Sequence, residues 1–431
     1  MEYNGIYLNP EKWMKLYHKN VASKNWYSYL MKEWLMENDL ERFRDINFSS
    51  SKQVLELFKI LKIPTKVKDK LKSIGKDIIY KDTVGKAHVS RYIKKFPFLK
   101  LYINFKTYQK ASTAFGEQFL IKFQNPVTGR IHSSFYPILA TGRISSSRPN
   151  NQQLPRGAEV RAAFEPKDGW SFVCTDYSSQ ELYVMADVFN EPQMLDTLAR
   201  GEDLHNFAAK NMFGENYNRG HRTKAKSLNY GIPYGMSKFK LAGDFNISES
   251  EADSIINSWF GVFTGFKATF PTVQKKAVAD GYVRVNTVSN RICLNDQNEL
   301  YEFAKKEISR LKRLKTNGKE DKLIPRKYWS TYFSLKSRFE RKAVNSKIQG
   351  TAADMGKLAG IYMLNWIKSK NYQSKVKIIL FVHDEYIVSC VTSLTAEVEI
   401  AAQKSMEEAA AAFCKKIQIP AIPEVARHWV H

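Results

Sequence analysis

The 431-residue chain is predicted to fold as an α+β protein, and three observations predict it. Apolar runs rich in β-branched and aromatic residues read as strands at residues 170–175, 376–382 and 386–391. Apolar residues at helical spacing fill most of residues 11–61 and 180–280. The last two strands are separated only by a tight turn at residues 383–385, so they pair as an antiparallel hairpin.

Taken in order, residues 11–44 place apolar and aromatic side chains at helical spacing among charges, and residues 50–61 read as a short helix after a Ser-rich cap. Residues 59–110 are dense in lysine, with Lys66, Lys68, Lys70, Lys72 and Lys76 crowded around Pro64 and Gly75. This pattern suits a protruding helical arm lying against a phosphate backbone; for any single lysine, a solvated helical face explains it as well. Residues 131–136 are extended, residues 145–155 form a Ser-, Pro- and Asn-rich loop, and residues 170–175 form a buried strand. Helices are expected from 180 to about 280. Residues 300–336 are strongly basic, carry a Gly-Lys-Glu-Asp turn signal and lack strong apolar periodicity at their centre, which reads as an insertion or flap, or as a charged linker. After the hairpin, an alanine-rich helix is expected over residues 397–416. There are no internal repeats.

Composition narrows the class of partner. Sixty-seven Lys plus Arg against 43 Asp plus Glu give a net charge of +24, the electrostatic footprint of a protein that neutralises phosphates. The same charge could simply keep a basic protein soluble. A 43% hydrophobic and 13% aromatic content is enough for a large core and two to four subdomains. Cys174, Cys293, Cys390 and Cys414 have no close spacing, which argues against a zinc site or disulfide framework and for a reducing compartment. The amino-terminal MEYNGIYLNPEKWMK is too polar for a signal peptide, and no apolar run approaches a membrane span. A soluble, intracellular protein with no membrane partner is expected.

Asp176 and Asp384 each follow an apolar strand, so each carboxylate is expected at the rim of a sheet. Two carboxylates brought together there suit a pair of Mg²⁺ ions supporting in-line phosphoryl transfer. A lone Asp at a strand end is more often a turn cap. Glu385 points to the opposite side of an extended chain and is a weaker ligand candidate. In HRTKAKSLNYGIPYG, Arg222, Lys226, Tyr230 and Tyr234 stand four residues apart, so on a helix two cations and then two rings form one slowly winding stripe. That stripe suits a triphosphate held by the cations while the rings meet sugar and base; an amphipathic helix with inward-packed tyrosines is the plainer alternative. Gly231 and Pro233 weaken the helix locally and could form a pivot.

Six segments in order resemble the polymerase domain of family A DNA polymerases: Thr141-Gly142-Arg143 with Pro149-Asn150-Asn151-Gln152, then DYSSQE at 176–181, Asp203-Leu204-His205, the 222–235 segment, RKAVNSKIQGTAAD at 341–354, and Val382-His383-Asp384-Glu385. The resemblance runs from about residue 125 to 431. It implies a right-hand polymerase fold with an antiparallel palm sheet and helical fingers and thumb. The corresponding divisions are an amino-terminal helical segment over 1–45 following a missing exonuclease domain, thumb over 46–130, palm over 131–190 and 341–431, and fingers over 191–340 with the basic insertion near 300–336. It also implies that Asp176, the Tyr177 carbonyl and Asp384 hold two Mg²⁺ ions. His205, Arg222 and Lys226 would grip the incoming triphosphate, with Lys226 also protonating the leaving pyrophosphate. Glu181 and Tyr230 would meet the sugar. Arg143, Asn150, Gln152, Arg341, Asn345, Gln349 and His383 would contact primer and template, Tyr234 would stack near the templating base, and Lys110 would meet the DNA backbone.

The implied activity is template-directed addition of dNTPs to a primer 3′ end, without a 3′–5′ exonuclease, by a monomer in a bacterial or phage-infected cytoplasm. A processivity partner is not identified by the residues. The sequence departs from many relatives at DYSSQE, where DYSQIE is usual, and at Tyr230, where phenylalanine is usual; the long 300–336 stretch resembles phage-type members. A single-subunit RNA polymerase and a catalytically silent DNA-binding protein are the competing readings. Glu181, bulky against the sugar, argues against the first, and Asp176, Lys226 and Asp384 together argue against the second.

Overall fold

The computed structural model describes residues 1–68, 80–155, 157–315 and 326–430. They divide into two compact units. One comprises Ile6–His132 and Leu154–Glu165, the other Met1–Gly5, Ser133–Gln153 and Pro166–His431.

In the first unit, the strand Ile6–Leu8 lies between Arg130–Ile131 and Phe164–Glu165, antiparallel to both. Helix Pro10–Glu37 starts where the sequence stops it from starting earlier: the Asn9 side chain accepts from the Glu11 and Lys12 amides, and Pro10 supplies the fixed φ of a first helical position. Its inner face meets helix Phe98–Ala114, with Trp34 and Phe98 ring centroids 4.9 Å apart and Tyr27 stacked on Tyr108. Met31, Leu35, Phe58, Phe98 and Tyr102 share that core, so residues 1–45 and 46–130 are joined by common packing.

Of the expected lysine-rich helical arm, the part at Lys66 and Lys68 is corrected. Lys66–Lys68 is a strand paired antiparallel with Tyr80–Asp82, and the Thr65 hydroxyl donates to Asp82 at 2.8 Å. Lys70, Lys72 and Lys76 lie outside the described residues. Alternation of Val67 between two lysines gives a period of two, which the lysine density masked. Lys110 is exposed on the helix Phe98–Ala114, in this unit.

The second unit is built on a four-stranded antiparallel sheet, in the order Val376–Val382, Glu385–Val391, Trp170–Tyr177, Ala421–Ala426. The central strands are buried on both faces, which explains their unbroken apolar runs. The edge strand Ala421–Ala426 contains Pro423, tolerable there because an edge position does not need every amide. Helix Thr395–Phe413 covers the sheet, and the Tyr177 hydroxyl donates to the Met406 carbonyl at 2.6 Å. The 44-residue helix Arg326–Ser369 packs so close that a Cβ at Gly360 would lie 2.3 Å from the Tyr386 hydroxyl. Glycine there is a packing requirement. No helix of the described residues is long and apolar enough to cross a membrane.

Residues 180–280 are helical, as expected, in successive helices from Gln180–Val188 to Thr264–Asp280. The 300–336 stretch, expected as an insertion or flap or as a charged linker, is helical where it is described. It contributes helix Asn298–Lys315 and the first turns of Arg326–Ser369; residues 316–325 lie outside the described residues. Tyr301, Ala304 and Ile308 are buried at i, i+3 and i+7, and Tyr301 stacks on Tyr332 at 5.2 Å. Three apolar residues per two turns suffice to dock a helix whose other faces are charged.

Candidate active site

Strand register sets the site. Asp176 pairs with Glu385, and Val382 pairs with Glu385 across the hairpin, which leaves His383 and Asp384 as a two-residue loop beside the end of the Asp176 strand. The Tyr177 amide donates to the Asp384 carbonyl at 3.4 Å, so the two aspartates stand on neighbouring chains at one end of the sheet. His383 takes φ of +60°, a conformation that non-glycine residues adopt sparingly and that clusters at functional sites. Its side chain is exposed. Glu385 is buried, and both its oxygens accept from the Trp429 indole at 3.1 Å, so this carboxylate is committed to a structural partner.

The donor set fits a small hard cation rather than a protein-made cage. Among the described residues, no group of three or more His, Cys, Asp or Glu gathers as a metal cluster. Two carboxylates and the Tyr177 backbone carbonyl leave coordination positions for water and substrate oxygens, which is how Mg²⁺ is ordinarily held. The Tyr177 ring itself is buried and takes no part.

Beyond Tyr177 the chain reverses through Ser179 at φ +52° into helix Gln180–Val188, which places Glu181 in its first turn. The Glu181 carboxylate accepts from the Arg143 guanidinium and from the Tyr234 hydroxyl. Arg143 belongs to a loop anchored from outside it. Arg291 donates to the Thr141 and Gly350 carbonyls and pairs with Asp354 at 3.1 Å, and Asp354 also accepts from Asn286 at 2.9 Å and Ser289 at 2.8 Å. This lock ties the Thr141-Gly142-Arg143 loop, the turn at Asn286–Arg291 and the long helix together. Asp354, the last residue of the quoted 341–354 motif, was the one available signal for it.

Helix Arg219–Gly231 opens with a reciprocal cap between Asn218 and His221 and buries Ala225, Leu228 and Asn229. Arg222 lies on another face and pairs with Asp203; Lys226, one turn on, is exposed. Asp203 also caps helix Leu204–Phe213 by accepting from the His205 and Asn206 amides, both at 2.8 Å. Burial opposes its ionisation, yet the bonds from Arg222 and these amides hold its carboxyl below the usual range. His205 is buried 5.8 Å from the Tyr230 ring. The stripe is not wholly helical: the helix stops at Gly231, the Gly235 amide turns back to the Ile232 carbonyl, and Tyr234 is presented from that turn.

Burial, then the charges of Glu181 and Asp384, push the Tyr230 phenol up to about 12. Burial and Glu181 raise the Tyr234 phenol, with Gln349 and Arg143 opposing. Tyr234, Arg341, Lys342, Asn345 and Gln349 line a cavity of about 270 Å³. Gly235, at φ +78°, leaves the space that Arg341 fills; a Cβ there would meet the Arg341 Cδ at 2.1 Å. Asn345 Oδ1 is buried without a hydrogen-bond partner among the described residues, an acceptor left over inside a basic cavity. Asn150 and Gln152 instead brace their own loop. Asn150 Oδ1 accepts from the Gln152 amide at 3.1 Å, and Gln152 Nε2 donates to the Ile144 carbonyl at 3.0 Å.

The resemblance extends beyond the site to most of this chain. The family model for DNA polymerase family A matches residues 31–431. DNA polymerase I of Caldicellulosiruptor bescii is 31% identical over 339 residues, covering 77% of this chain and 35% of the relative. DNA polymerase I of Borreliella burgdorferi is 29% identical over 357 residues, covering 80% of this chain and 34% of the relative. This chain therefore spans about a third of the length of these relatives. A solved structure of the polymerase domain of Pol1 from M. smegmatis, in complex with DNA primer-template and dNTP, superposes over 100% of this chain and 68% of its own, with a TM-score of 0.79 and 25% identity.

Proposed function

The chain belongs to DNA polymerase family A, and from that premise we propose that it extends a DNA primer on a DNA template with dNTPs. The observation that carries the proposal is the meeting of Asp176 and Asp384 at one sheet end. In this reading the four-stranded sheet is the palm, residues 191–340 the fingers and residues 46–130 the thumb.

Asp176, Asp384 and the Tyr177 carbonyl would hold Mg²⁺, which when bound neutralises charge developing on the attacking and leaving oxygens. The chain's own residues supply the rest. Arg222 and Lys226, one helical turn apart, would grip the triphosphate, and exposed Lys226 would deliver a proton to the departing pyrophosphate. Arg222 is kept oriented by Asp203, so its guanidinium is already placed when the nucleotide arrives. Arg341, Asn345 and Gln349 would face the nascent pair from the basic cavity, where donors can test minor-groove acceptors shared by every correct pair. Arg143, Asn150, Gln152, His383 and Lys110 complete the proposed DNA contacts, Asn150 and Gln152 by bracing their loop.

The competing reading as a ribonucleotide polymerase and the reading as a silent DNA-binding protein part from this one in a single assay. Mg²⁺-dependent extension of a primed template is expected with dNTPs and not with NTPs. Extension with NTPs alone, or none with either, overturns the proposal.

Tyr230 carries a hydroxyl where phenylalanine would be apolar, and that hydroxyl can replace the hydrogen bond lost with a nucleotide's 3′-OH. Dideoxynucleotides are therefore expected to be used almost as well as dNTPs. Tyr230→Phe should restore discrimination by about tenfold to a hundredfold, the scale of one hydrogen bond in a partly buried site. Equal dideoxy use by both proteins contradicts this role.

We also propose that Asp39 and Glu41 form no nuclease centre. The acidic pair Asp39 and Glu41 is exposed, with Asp39 at φ +56° just past a helix end and Glu41 opening a short 3-10 turn. A mismatched primer 3′ end incubated with Mg²⁺ and no nucleotide should keep its length; shortening by the purified protein, lost on substituting one of its own carboxylates, is the contrary result.

A further inference from the structure

We propose that Asn229 is a positioning residue that fixes the proton of His205 on Nε2, making the buried imidazole a neutral hydrogen-bond donor; its use toward a triphosphate rests on the nucleotide-site reading above. Asn229 is fully buried on the inner face of helix Arg219–Gly231. Its Oδ1 accepts from the Trp259 indole Nε1 at 2.9 Å. An indole N–H only donates, so the atom facing it must be the amide oxygen. At the other end, Asn229 Nδ2 lies 3.4 Å from the Leu204 carbonyl, which only accepts. Both partners demand the same orientation. A flipped amide would set N–H against N–H at Trp259 and oxygen against oxygen at Leu204.

With the amide fixed, its NH₂ lies 3.1 Å from His205 Nδ1. An amide NH₂ has no lone pair to offer, so Nδ1 must be the acceptor and the single proton of the neutral ring sits on Nε2. Among the described residues, none bonds Nε2. The charged groups acting on the ring are Asp203, Lys226 and Arg222. Burial comes first and lowers its pKa to about 4, with Lys226 and Arg222 adding to the effect against the pull of Asp203. A protonated ring would in addition turn an N–H toward the Asn229 NH₂. His205 thus adds a donor without adding a charge to those of Arg222 and Lys226, and the helix that bears these two cations sets the tautomer from its buried face.

The test is a long-range proton–nitrogen correlation spectrum of the full chain with ¹⁵N-labelled histidine near neutral pH. The chain has eight histidines, so the His205 signals are assigned by their loss in His205→Gln. The expected wild-type pattern is a protonated, pyrrole-type Nε2 and an unprotonated, pyridine-type Nδ1. Asn229→Asp, which sets a carboxylate oxygen against Nδ1, should move the proton to Nδ1 or charge the ring and raise the dNTP KM about tenfold, the loss of one hydrogen bond, with a much smaller change in kcat. A wild-type spectrum with Nδ1 protonated, or averaged between tautomers, overturns the proposal, and it does so whether or not Asn229→Asp folds. The two readings separate through His205→Gln. An unchanged dNTP KM beside the expected spectrum removes the nucleotide-site role of His205 and leaves the tautomer assignment standing; a raised KM beside a protonated Nδ1 does the reverse.

Discussion

Asp176→Asn and Asp384→Asn should each reduce single-turnover primer extension by about a thousandfold or more, equivalent to roughly 4 kcal/mol at the transition state, while DNA affinity and fold persist. Asp176 closes a strand whose apolar interior already fixes its position, and Asp384 occupies the second position of a two-residue loop stitched to that strand by the Tyr177 amide. Asparagine keeps the shape of both side chains, so packing is spared. What is removed is one negative charge from a pair whose proposed task is to hold divalent ions against a polyanionic substrate in a protein of net charge +24. DNA binding should survive because the proposed DNA contacts, Arg341, Asn345 and Gln349 among them, are untouched. Near wild-type extension by either variant in single turnover contradicts the assignment.

Glu181→Ala should raise the use of ribonucleotides relative to deoxyribonucleotides by about a hundredfold or more, roughly 3 kcal/mol of discrimination. Glu181 stands five residues beyond Asp176 in the first turn of its helix, and Tyr230 feels its charge. In the proposed role its bulk lies where a 2′-hydroxyl would go. A clash built against the wrong substrate discriminates more strongly than the loss of one apolar contact with the right one. The structure adds a cost. Arg143 and the Tyr234 hydroxyl both donate to this carboxylate, so its removal strands two half-buried donors and should lower stability by about 1–3 kcal/mol. Glu181→Gln separates the two effects, because it keeps the bulk while weakening the bonds. It should remain selective while losing some dNTP efficiency. If Glu181 served only to favour the positive end of its helix, Ala would be less stable and equally selective, and the ratio of kcat/KM for matched dNTP and NTP pairs would not move.

The sequence announced the elements whose burial is continuous. The strands around Asp176 and Asp384 are buried on both faces, so their apolar runs were unmistakable, but the turn expected over residues 383–385 is one residue shorter, because Glu385 already pairs with Val382 in the strand. It was weaker where charge overlies the pattern. In Asn298–Lys315, lysines and arginines surround the three residues that dock the helix, and in Lys66–Lys68 a single valine carries the strand period. The edge strand Ala421–Ala426 was missed because an exposed, proline-bearing edge shows little alternation. Of the site, the individual carboxylates and cations were legible and their partners were not. That Arg291 braces the Arg143 loop, that Glu181 joins Arg143 to Tyr234, and that Trp259 orients Asn229 depend on contacts between residues tens or hundreds of positions apart. No local spacing encodes them.

The most direct measurement of the central claim is single-nucleotide incorporation on a primed template by the wild-type protein and Asp384→Asn, with Mg²⁺ present or chelated and with dNTP or NTP supplied. Rapid addition of the complementary dNTP by the wild type with Mg²⁺, near-complete loss on chelation or with Asp384→Asn, and poor use of the matching NTP are expected; incorporation that is indifferent to Mg²⁺ or to Asp384 would contradict the account.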